Sequence, residues 1–174
     1  MQAYQSFYDE SGKRRGYAPT GPMQYDPRPG HQHWHFLDFA TYQLRKQDGS
    51  TVRSQKEAFC LAPTDAVDLG VKGADWSPYS TGLQTACGFV SALGIRETLQ
   101  TGWGDTYGQY LPGQAFDITG LPNGKYQVEV IANPDKHLVE TSTANNTSTR
   151  TIVLGGKPGA RTVTAPKVGT VDAP

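Results

Sequence analysis

Glycine and proline punctuate this chain so often that long helices have little room. Twenty glycines and twelve prolines are spread over 174 residues, and tyrosine and threonine are common between them. Such a pattern favours short strands joined by turns. The expected fold is all-β: an antiparallel, sandwich-like single domain with long loops and little helix. Residues 1–30 read as extended chain and turns, and a strand is expected from about His31 to Lys46. Asp48-Gly49 reads as a type I′ turn, because such a turn needs φ > 0 at both central residues, and TVRSQKEAFCLA is the return strand. Residues 63–80 read as loop, Leu83–Cys87 as a short helix, and TGWGDTYGQYLPG as a Gly-rich aromatic loop. AFDITGLPNGKYQVEVIAN then gives strand, Pro-Asn-Gly turn and strand, with Tyr126, Val128 and Val130 on one face. TSTRTIVL is the last expected strand. The domain would thus occupy residues 1–154, and 155–174 would be a loosely ordered Gly/Pro-rich tail.

Charge and hydropathy exclude several functions. Sixteen basic and sixteen acidic residues cancel, so no basic stripe marks the chain as a nucleic-acid binder. No apolar run approaches the ~20 residues of a membrane span. The polar start, MQAYQSFYDESGKRRGY, contains no apolar signal core. Two cysteines, Cys60 and Cys87, are present. Paired, they would close a loop worth ~3 kcal/mol; unpaired, they would be buried thiols. A loop-rich β chain gains most from the staple.

Three of the four histidines lie in His31-Gln32-His33-Trp34-His35. Alternate strand residues share a face, which puts three imidazoles together at steps of ~6.6 Å. The outer two must then lean inward to share an ion, and Gly30 gives the backbone freedom to bend. Neutral imidazole suits copper and zinc alike, and three protein ligands leave a position open for water or oxygen. Without a metal, the same motif would be a half-polar strand face or the remnant of an affinity tag.

Several motifs in order resemble one family. His-x-His-x-His with an aromatic before the last histidine is similar to the copper site of lysyl oxidases. The hairpin ending Gln55-Lys56-Glu57-Ala58-Phe59-Cys60, the segment Trp103-Gly104-Asp105-Thr106-Tyr107, the following Asp117-Ile118-Thr119, and GKYQVEVIANPDKHLVETSTANN each resemble family segments. The resemblance runs from about Gly30 to Leu154, and its single cysteine pair resembles the microbial branch. It implies further strands before the histidines than residues 1–30 can hold in full.

The resemblance implies copper at His31, His33 and His35, and a lysine tyrosylquinone cofactor made when Lys56 adds to oxidised Tyr107. It also implies a disulfide at Cys60, a secreted protein, and oxidation of primary amines (peptidyl lysine or small amines) to aldehydes, releasing ammonia and hydrogen peroxide. The ε-amine of lysine is a nucleophile when neutral, and in such enzymes the cofactor carries the hard step. Asp38 is the candidate base or histidine partner, although an ideal strand would turn it away from His35. A two-residue turn at Asp48-Gly49 would pair Lys56 with Thr41, roughly 20 Å from His35 along the strand, unless the chain bends after His35. Glu140, Asn145 and Asn146 match a calcium-binding loop of some members. Ser142 stands where an acidic residue is expected, which puts calcium in doubt. Two other classes fit parts of the pattern: an Ig-like β-sandwich binding or adhesion module, suggested by residues 116–154, and a zinc hydrolase using the same histidines.

Overall fold

The computed structural model describes residues 1–80, 82–108, 110–111 and 114–167, without the side chains of residues 54–57. The architecture is all-β, as expected, with no helix among the described residues. The strands are β1 (Gln2–Tyr8), β2 (Arg14–Asp26), β3 (His33–Lys46), β4 (Thr51–Phe59), β5 (Asp65–Ala66), β6 (Trp103–Gly104), β7 (Gly124–Ala132), β8 (Thr147–Lys157) and β9 (Ala160–Thr164). A seven-stranded antiparallel sheet runs β1-β2-β3-β7-β8-β9 with β4 also on β3, and β5 pairs with β6.

Strand β3 organises the sheet. It pairs with β2 over residues 33–36, with β4 from Phe36 to Arg45, and with β7 over residues 40–46. Leu44, Leu121, Tyr126 and Leu154 bury one another beside it, with Phe116, Ile118, Val128 and Ile152 packed around them. Tyr126 also donates its hydroxyl hydrogen to the Pro122 carbonyl, so the ring is buried without an orphaned polar end.

The β3–β4 turn departs from the expected type but preserves the register. Gly49 has φ +84°, whereas Asp48 is not in the left-handed region. Asp48 instead accepts the Ser50 amide and hydroxyl, and Lys46 and Ser50 close the loop. This longer turn shifts the pairing to Arg45↔Thr51, and an irregularity at Val52 shifts it back, so that Thr41↔Lys56 stands as expected. A second irregularity, between Phe36 and Ala40, contains Asp38 at φ 57°. This is the bend after His35 that the straight-strand geometry lacks.

Four other segments differ from the sequence reading. Residues 1–30 form a hairpin, β1–β2, whose turn is tied by Asp9 accepting the Ser11 and Lys13 amides. Leu83–Cys87 is not helical: Thr85 pairs with Arg96 through backbone and hydroxyl, and Cys87 is drawn to Cys60 by a disulfide. AFDITGL forms no strand, and its apolar residues serve the core from a loop. The expected loose tail begins too early, since β8 runs to Lys157 and pairs with β9.

Candidate metal centre

The three histidines reach one point by two routes. His33 and His35 project from the start of β3, held in register by Asp26↔His33 and Gln24↔His35. His31 lies before the strand: Gln32 has φ 56°, and the His31 amide donates to the Arg28 carbonyl in a turn. The strict strand alternation expected from His31 therefore fails at Gln32. The turn, with Gly30 at φ +84°, replaces the inward lean. The result is tight: one ligand nitrogen of each ring lies within 4.8 Å of the others. His35 Nε2 is 2.8 Å from His33 Nε2 and 3.3 Å from His31 Nδ1.

The donor set fits a transition-metal ion. His31 and His35 are buried, and His31 Nε2 is a buried nitrogen with no hydrogen-bond partner among the described residues, an arrangement that asks for a ligand. Burial lowers the His33 pKa and lowers that of His35 to about 4, aided by the neighbouring histidines. At neutral pH the His33 and His35 rings are therefore uncharged and their lone pairs available. Copper and zinc are both suited to such a set.

Tyr107 sits beside this cluster. Its ring centroid is 6.1 Å from His31, 6.2 Å from His35 and 4.7 Å from Phe59. Its hydroxyl oxygen accepts the Cys60 amide at 3.1 Å. Burial, reinforced by Asp105, Glu97 and Asp26, pushes the phenol up to about 12, so it is protonated at neutral pH. The disulfide Cys60–Cys87 anchors this region to β3, because the Trp34 amide donates to the Cys87 carbonyl. Lys56 lies on β4, paired through its backbone with Thr41; its side chain falls outside the described residues. Asp38 stands in the β3 irregularity, half-buried.

Three carboxylates near the site were not singled out in the sequence. Asp26 Oδ2 lies 3.6 Å from His31 Nδ1 and 3.8 Å from His35 Nδ1. Arg28 clasps it through Nε at 2.9 Å to both oxygens, and the Arg28 amide donates to Oδ1. These contacts bring the Asp26 carboxyl down to about 2. Glu97 and Asp105 lie toward Tyr107, and burial raises them to about 7 and about 6. Asp26-Pro27-Arg28-Pro29-Gly30 reads as a turn, but nothing local says that the turn folds back on the histidines. In the suspected calcium loop, Glu140 Oε1 accepts the side-chain amides of Asn133 and Asn146, so the protein's own donors occupy that oxygen.

An all-β domain with a largely buried three-histidine cluster that could hold a metal ion, beside a protonated tyrosine, is the arrangement the fold presents. The lysyl oxidase family profile matches residues 12–162, and the chain belongs to that family. It is similar to lysyl oxidase homolog 4 of Homo sapiens, 32% identical over 120 residues, and to lysyl oxidase homolog 3B of Danio rerio, 30% identical over 118. Each match covers 67% of this chain but only 14% and 13% of the relatives' own length. No described helix is long and apolar enough to cross a membrane.

Proposed function

We propose that this domain catalyses copper-dependent oxidative deamination of primary amines, with His31, His33 and His35 as the copper ligands and Lys56 and Tyr107 as the precursors of a lysine tyrosylquinone. The observation that carries the reading is the placement of Tyr107 against His31 and His35. Copper, when bound, supplies the redox chemistry that activates oxygen beside the phenol, and the quinone supplies the electrophilic carbonyl for the amine. The chain's own residues prepare that chemistry. The imidazoles offer nitrogen lone pairs, Phe59 packs edge-on against the phenol, and the Cys60 amide fixes the phenol oxygen in place. Lys56 lies on β4 three residues before Phe59, on the strand that carries this contact.

Asp38 is our candidate for the base that removes the proton next to the substrate nitrogen. A β-bulge re-aims a side chain relative to a straight strand, and this supports the assignment despite the even spacing of the histidines. Secretion and a lysine-bearing protein or small-amine substrate belong to the same reading. Copper-loaded protein is expected to release peroxide in proportion to added primary amine, with Tyr107→Phe inactive. Folded, copper-loaded protein that releases none from a panel of primary amines and lysyl peptides would contradict it.

A further inference from the structure

Among the described residues, the histidine cluster has a carboxylate neighbour within 4 Å, Asp26, that the sequence motif does not contain. We propose that Asp26 is a positioning residue for the metal site: it holds His35 by the outer ring nitrogen so that Nε2 faces the ion, and it places a fixed negative charge behind the ligands. This inference rests on the reading of His31, His33 and His35 as a metal site.

The geometry distinguishes the two nitrogens of His35. Nε2 faces inward, 2.8 Å from His33 Nε2 and 3.3 Å from His31 Nδ1. Nδ1 faces outward, 3.8 Å from Asp26 Oδ2. A ring whose outer N–H meets a carboxylate has its inner nitrogen unprotonated and its plane fixed, which is how metal-ligating histidines are ordinarily held. Closing 3.8 Å to hydrogen-bond length needs a movement of roughly 1 Å. The same oxygen lies 3.6 Å from His31 Nδ1, a nitrogen that also faces His35 Nε2 at 3.3 Å, so the outer-nitrogen contact assigned here is that of His35.

Asp26 is built for such a role. Only 9% of it is exposed, and its backbone is fixed as the partner of His33 at the end of β2. Arg28 donates to both carboxylate oxygens, which stops the side chain from swinging into the cluster as a fourth ligand. Arg28 also offsets part of the burial cost of the charge. A cleft of about 400 Å³ opens beside Asp26, Arg28 and His35, so water can reach this side of the ligand shell.

Cu(II) titration of apo protein against a competing chelator tests the proposal. Asp26→Asn is expected to bind one Cu(II) with affinity lowered about 10- to 100-fold and with an altered EPR hyperfine splitting. Arg28→Gln breaks the same ion pair but keeps the carboxylate, and is expected to lose less than about a third of that factor. Asp26→Asn with wild-type affinity and spectrum, or equal losses in both variants, would overturn the proposal. Absence of Cu(II) binding by the wild type would instead remove the metal-site reading beneath it. Should Asp26→Asn not fold, ring-nitrogen NMR of the wild-type apo protein decides: His35 protonated at Nδ1 is expected, and protonation at Nε2 alone overturns the assignment.

Discussion

Replacing Glu97 by glutamine should make this protein more stable at alkaline pH while changing it little at acidic pH. One carboxylate oxygen, Oε2, accepts the Leu61 amide at 3.1 Å. The other, Oε1, is buried without a partner among the described residues. Burial is the main reason that the carboxyl is raised from 4.5 to about 7, and Asp105 adds to it. A carboxyl with a raised folded-state pKa binds its proton more tightly in the native chain. Its contribution to stability is full below pH 4.5 and is lost as pH climbs through 7. Above pH 8 the ionised group costs roughly 3 kcal/mol at most, less wherever water reaches it. Glutamine can still accept the Leu61 amide and carries no charge. A chain of this size moves about 2–4 °C in Tm per kcal/mol. Glu97→Gln should therefore melt several degrees above the wild type at pH 8.5 and close to it at pH 4.5. Calorimetry at five pH values reads the difference directly. Curves that stay parallel from pH 4.5 to 8.5 would refute the idea that Glu97 is buried as an acid.

Further expectations follow from the packing and the staple. Reducing Cys60–Cys87, which spans 27 residues, should cost ~3–4 kcal/mol by loop entropy; it should also loosen the Tyr107 hydroxyl, which accepts the Cys60 amide, seen as a change in the tyrosine NMR signals. Leu44→Ala, at a residue 1% exposed in the core, should cost about 2–5 kcal/mol in urea unfolding without altering Cu(II) stoichiometry. His33→Ala should abolish tight Cu(II) binding while leaving apo melting within about 2 °C, as isothermal titration and calorimetry would show.

What was readable in the sequence was what is local. His33 and His35 sit two apart on one strand, and strand alternation alone puts them together. The pairing of Lys56 with Thr41 is also legible, although two departures, the longer turn and the irregularity at Val52, cancel to produce it. His31 could not be placed correctly, because Gln32 adopts a left-handed conformation that its side chain does not request. The β1–β2 hairpin and β9 are not legible in the sequence, because their strands are interrupted by Pro19, Pro22 and the glycines around Lys157. Only pairing with neighbouring strands settles such segments. Phe116 and Ile118 look like strand residues, yet they reach the core from a loop. Asp26, Glu97 and Asp105 gain their character from burial and from neighbours distant in sequence. Family resemblance supplied Tyr107, which composition alone would leave as a loop aromatic.

The most direct test of the copper–quinone account is proteolysis of protein matured with copper in air, followed by mass spectrometry. The account predicts a covalent peptide joining Lys56 to Tyr107. Recovery of both peptides separate and unmodified from folded, copper-loaded protein would contradict it.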